Sequence, residues 1–173
     1  MRFLAAAGLL LALVRPCVAT ELQLPAPGTP RPEIAGLDDF ACEAEPRASR
    51  CRLKAGLART FAGVPVEGAV IDVRQGRVAV AAAFFDERNF PAVAERLAAD
   101  LGPGEDYSEE LRAGMGATFT NVVKAWRREG TVWFAEQFAG RITRSAVSRV
   151  PAAEFDGMLA ARAAQRVNGA RDL

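Results

Sequence analysis

Residues 67–85, EGAVIDVRQGRVAVAAAFF, can pair with themselves by turning back at Gln75-Gly76. A two-residue turn there needs positive φ, which glycine adopts without a Cβ clash. The turn sets Val73 against Val78, Ile71 against Val80 and Ala69 against Ala82, all apolar and all on one face. The other face alternates Asp72, Arg74 and Arg77 with Val70, Ala79 and Ala81. A hairpin of this kind is not stable alone in water, so its apolar face needs cover.

Cover follows directly in the chain. Phe90, Val93, Leu97 and Leu101 recur at helical spacing, with Ala94 and Ala98 beside them. Asn89 suits the cap and Pro91 the first turn, while Gly102 and Pro103 stop the helix. Residues 105–118 are irregular, with a short helical turn expected after Asp106 or Ser108 and a break at the GMG of residues 114–116. That GMG is not read as a phosphate loop, because no strand is expected before it and no lysine follows its second glycine.

A second sheet region spans residues 119–150. A turn at Glu129-Gly130 pairs Trp126 with Trp133 and Ala125 with Phe134, and a turn near Ala139-Gly140 returns a third strand, residues 141–150. One face then carries Val123, Ala125, Val132, Phe134, Phe138 and Val147, the other Trp126, Trp133, Ala135, Ile142 and Ala146. PAAEFDGMLAARAAQRV reads as a closing helix with Phe155, Met158 and Leu159 as its stripe, weakened by Gly157. The expected class is α+β: an antiparallel sheet, made of a hairpin plus a three-stranded meander, with helices packed on one face.

The N-terminus has the anatomy of a secretory signal. Arg2 precedes an apolar run over residues 3–14, then come Arg15, Pro16 and small residues. A spanning helix needs about 20 apolar residues, more than this run supplies. Arg15 and Pro16 make Cys17 a poor lipid acceptor, whereas Cys17 and Ala19 suit cleavage after residue 19. Residues 1–19 are therefore read as a signal peptide, residues 20–36 as a proline-rich linker and residues 37–173 as one domain. Cleavage removes two of 22 basic residues, leaving a charge close to balance against 21 acidic ones. Neither nucleic acid nor an anionic membrane surface is implied by such a balance. Cys42 and Cys51 remain, an even count that in an exported chain indicates a disulfide.

Chemistry is bounded mainly by the count of zero histidines, which removes serine–histidine and cysteine–histidine catalysis and nearly every zinc site. No catalytic residue, metal ligand set or cofactor is assigned. Asp38 with Asp39, and Glu109 with Glu110, are sequence neighbours that point apart on regular elements. Ser145 and Ser148 have only Lys54 and Lys124 as candidate bases, at no recognised spacing.

The positive feature is the tryptophan pair. Trp126 and Trp133, bordered by Lys124, Arg144 and Gln137, read either as core under a helix or as an open platform for a peptide, glycan or envelope protein. The aliphatic face is expected to meet the helices, leaving the tryptophans uncovered. The functional expectation is an exported, periplasmic or secreted, non-catalytic binding or accessory protein of the bacterial-type cell envelope. The alternative is a carboxylate-dependent hydrolase of cell-wall glycans. The intact mass of the exported protein is expected to begin at Thr20; a diacylglyceryl mass on Cys17 contradicts this.

Overall fold

The computed structural model describes residues 19–44, 48–112 and 117–169. Residues 1–18, which hold nearly all of the expected signal peptide, and the GMG stretch lie outside the described residues. In chain order the strands are β1 (Thr20–Glu21), β2 (Phe40–Ala44), β3 (Ala48–Leu53), β4 (Arg59–Phe61), β5 (Val64–Pro65), β6 (Gly68–Arg74) and β7 (Arg77–Asp86). Helix α1 (Phe90–Leu101) follows, then β8 (Glu105–Asp106), β9 (Glu109–Arg112), β10 (Thr118–Asn121), β11 (Val123–Arg128), β12 (Thr131–Glu136) and β13 (Arg144–Pro151). Helix α2 (Ala152–Gly169) closes the described chain.

Hairpin and meander belong to one eight-stranded antiparallel sheet of order β2-β3-β6-β7-β13-β12-β11-β8. They meet where β7 pairs with β13, from Arg144 opposite Asp86 to Arg149 opposite Ala81. Strand predominates and two helices accompany it, in keeping with an α+β class.

The β6–β7 turn has positive φ at Gln75 (52°) and Gly76 (74°), the primed geometry that matches strand twist. Val73 pairs with Val78 as expected, but a register shift then places Asp72 opposite Val80 and Ile71 opposite Ala81. Ala79 is the extra residue of a β-bulge. The bulge changes which side chains enter the core beside Ile71: Ala81, Ala83 and Phe85, not Val80 and Ala82 as the unbroken pairing requires. In the meander, Trp126 opposes Trp133 and Ala125 opposes Phe134, as the Glu129-Gly130 turn dictates. The third strand is one residue out of phase with expectation. Val147 lies opposite Ala135, on the tryptophan side, and Ala146 opposite Glu136. Its connection is a seven-residue loop, residues 137–143, so no tight turn imposes the register.

Asp86, not Asn89, caps the entry to α1. Its carboxylate accepts from the Arg88 N–H at 3.0 Å, ahead of a 3₁₀ turn at Glu87–Asn89, whereas the Asn89 side chain makes no capping bond. The Arg88 guanidinium, and then this N–H, hold the Asp86 carboxyl at about 2. Phe90, Val93 and Leu97 form the buried stripe.

The two helices cover opposite faces, which corrects the one-sided arrangement. Phe90, Val93 and Leu97 of α1 join Ile71, Val73, Phe85, Ala135 and Val147 in the larger core. Phe155 of α2 joins Ala125, Val132, Phe134 and Val150 on the reverse face, its ring 5.3 Å from those of Phe134 and Tyr107. The reason lies in β12, where Val132, Trp133, Phe134 and Ala135 are consecutive and apolar. A central strand apolar on both faces requires cover on both.

Residues 20–36 are not a linker outside the domain. Leu22, Leu24 and Ile34 are buried in the larger core. The Gly28 and Arg31 N–H groups donate to the Val78 and Gly76 carbonyls, and β1 pairs in parallel with β4. Proline forbids helix here but tolerates an extended run along a sheet margin. Cys42 and Cys51 are directly opposed in β2 and β3 and joined by a disulfide, with Cys51 fully buried beside Ile71. Closing so short a loop stabilises the fold by about 2–3 kcal/mol. Because Leu24 is core, Leu24→Ala is expected to lower stability by about 2–5 kcal/mol in denaturant titration. A residue in a tether outside the domain shifts stability by under about 0.5 kcal/mol.

Candidate functional site: a tryptophan-floored cavity

The five residues expected to form one face do not assemble as one. Trp126 and Trp133 share the α1 side of the sheet, with Lys124 on the same side in β11. Arg144 extends on the α2 side, its guanidinium 4.8 Å above the Phe84 ring and bonded to the Ala139 carbonyl at 2.9 Å. Gln137 sits in the loop beyond β12, where its carbonyl accepts from the Ser145 hydroxyl at 2.6 Å. Lys124 is committed to Asp106 at 2.6 Å. That ammonium, with Ser108 second, holds the Asp106 carboxyl well below the usual carboxylate range.

The expectation of an uncovered tryptophan face is also corrected, since α1 and residues 22–24 lie over it. The two indoles have different roles. Trp126 is 4% exposed and its Nε1–H donates to the Gly102 carbonyl at 2.8 Å. A Cβ at Gly104 would stand 2.7 Å from the indole, so glycine is required for the chain to pass that closely. Trp126 thus anchors the exit of α1 as a packing residue.

Trp133 is half-buried, with the Arg149 guanidinium 5.0 Å from its ring centre and the Phe61 ring at 6.2 Å. It contributes to the lining of a cavity of about 320 Å³. Residues 21–24 form one wall, Leu97 and Leu101 of α1 another, and Phe61 and Ala62 an end. Glu21, Gln23, Arg96 and Asp100 supply its polar lining. Arg149 was not singled out by sequence, because its role depends on cross-strand pairing with Trp133. Burial lowers its affinity for the proton, and among the described residues its Nε has no hydrogen-bond partner.

A second cluster lies at the α2 side. Arg162 donates to Glu109 at 3.2 Å and Glu136 at 3.0 Å, and the Asn121 amide, 1% exposed, donates to Glu136 at 2.9 Å. Two carboxylates therefore converge, which adjacency in sequence could not reveal. A glycoside hydrolase keeps the gap between its carboxyls free for the scissile bond or water. Here a guanidinium bonds both carboxylates, and the arrangement ties α2 to β9 and β12.

Other sequence candidates are dispersed. Asp39 accepts from Arg59, Lys54 donates to the Asp38 carbonyl, and neither lysine meets Ser145 or Ser148. Among the described residues no group of three or more Cys, Asp or Glu is placed to hold a metal ion. Among them, too, no helix is long and apolar enough to cross a membrane. Comparison with protein families, curated proteins and solved structures found no match.

The packing difference predicts a stability difference. Trp126→Ala is expected to lower unfolding free energy by about 3–5 kcal/mol, as for a buried aromatic. Trp133→Ala should lower it by about 1–2 kcal/mol, within the common range for single substitutions. Equal losses in denaturant titration contradict this division of roles.

Proposed function

We propose that this chain is an exported, non-catalytic binding module of the bacterial-type cell envelope, and that the Trp133 cavity receives its ligand. The cavity carries the proposal. Its volume, about 320 Å³, is at the lower end of the range for ligand sites. An aromatic floor and aliphatic walls with a few polar groups are the usual composition of such sites. The Cys42–Cys51 disulfide supports an oxidising compartment, as does the signal-like N-terminus.

The alternative, a carboxylate-dependent hydrolase of cell-wall glycans, is favoured by one observation, the convergence of Glu109 and Glu136. Arg162 between them favours a structural tie, so binding is the stronger reading.

The uncharged dye N-phenyl-1-naphthylamine tests the cavity directly. It is expected to bind the exported protein at one saturable site with enhanced fluorescence. Leu101→Trp, which fills the cavity from its α1 wall, should weaken binding about tenfold, equivalent to about 1.4 kcal/mol. Trp133→Ala should alter the affinity as well. Unsaturable binding, or equal binding by all three proteins after each is shown to be folded, rejects the cavity as a ligand site.

A further inference from the structure

One wall of the Trp133 cavity is formed by residues 21–24, whose strand has, among the described residues, a neighbour on one side only. β1 is the terminal strand of the small sheet β1-β4-β5. Leu22 N–H donates to the Thr60 carbonyl at 2.6 Å, so the polar backbone of residue 22 points towards β4. Backbone direction alternates along an extended segment, which turns Glu21 and Gln23 to the opposite side. Gln23 is exposed and its backbone has no hydrogen-bond partner among the described residues. Leu22 and Leu24, by the same alternation, point into the core.

Charge at the cavity mouth selects among extended occupants. Asp100 bonds Arg96 at 2.7 Å, and both are more than half exposed. The Glu21 carboxylate accepts from the Ala62 N–H at 2.6 Å and the Thr60 hydroxyl at 2.8 Å, and among the described residues it has no ion pair. Two carboxylates thus face one guanidinium at the rim, which is net negative, while the Arg149 guanidinium lies against Trp133 and the Leu24 carbonyl. A strand laid along such an edge alternates its side chains between the interior and the rim.

We infer that the groove between residues 20–24 and α1 binds an extended peptide segment by strand addition, with apolar side chains over Trp133 and lysine or arginine at the rim. The inference rests on the cavity being the ligand site and names its ligand class. Main-chain bonds to Glu21 and Gln23 supply register, and the cavity supplies selectivity for alternate side chains. The rim charge favours a basic segment over an acidic one.

The test uses three fluorescein-labelled, acetylated and amidated hexapeptides, alternating leucine with lysine, leucine with glutamate, and serine with lysine. Fluorescence anisotropy with the exported protein is expected to show the leucine–lysine peptide bound about tenfold more tightly than either comparator. Gln23→Pro removes the edge N–H and is expected to weaken that peptide about tenfold. Asp100→Lys, an exposed charge reversal, should weaken it severalfold and provides a second variant should Gln23→Pro unfold. Loss of dye binding by the unaltered protein rejects the cavity reading itself. Retained dye binding with no preference among the peptides overturns the peptide inference alone. So does a dimer, seen by sedimentation, that occupies the groove, or peptide affinity unchanged in both variants.

Discussion

The pairing of β7 with β13 is the contact on which the remaining structure depends. It joins the N-terminal hairpins to the C-terminal meander, so strands distant in sequence share one hydrogen-bonded surface. Ala81, Ala82 and Ala83 lie at this seam opposite Arg149, Ser148 and Val147. Small side chains there let cover approach closely on both faces. Because β12 is apolar on both sides and β13 has buried residues on both, one helix cannot cover them. The result is three layers, with α1 and the N-terminal segment on one face and α2 on the other.

That layering creates the cavity. Residues 22–24, Phe61 and Leu97 of α1 converge over the same sheet face without filling the space around Trp133. Trp126, one strand away, does the opposite work: its bond to Gly102 and its contact with Gly104 hold the exit of α1 against the sheet. One indole therefore holds the wall in place and the other lines the cavity. On the reverse face the Arg162 pairs to Glu109 and Glu136 add a polar attachment for α2 to the apolar one made by Phe155.

Disulfide placement follows from the same sheet. Cys42 and Cys51 staple the outermost hairpin, where β2 has, among the described residues, a neighbour on one side only. An edge strand held by a covalent link is less able to peel away or to pair with another chain.

Local chemistry was legible in the sequence wherever neighbours along the chain decide the outcome. The turns at Gln75-Gly76 and Glu129-Gly130, the register of Trp126 against Trp133, the limits of α1 and the Cys42–Cys51 pair all rest on contacts close in sequence. Zero histidines likewise excluded whole classes of catalysis without reference to any fold. Tertiary structure decided the rest. The bulge at Ala79 and the phase of β13 depend on what each strand meets across the sheet, and alternation alone does not reveal an inserted residue. Prolines marked residues 20–36 as non-helical, but Leu22 and Leu24 became core because β4 and α1 offered an apolar surface to cover. Which tryptophan is buried, and the pairing of Arg149 with Trp133, were set by chain segments arriving from far away. A residue's burial is a property of its whole surroundings, and only the assembled sheet supplies them.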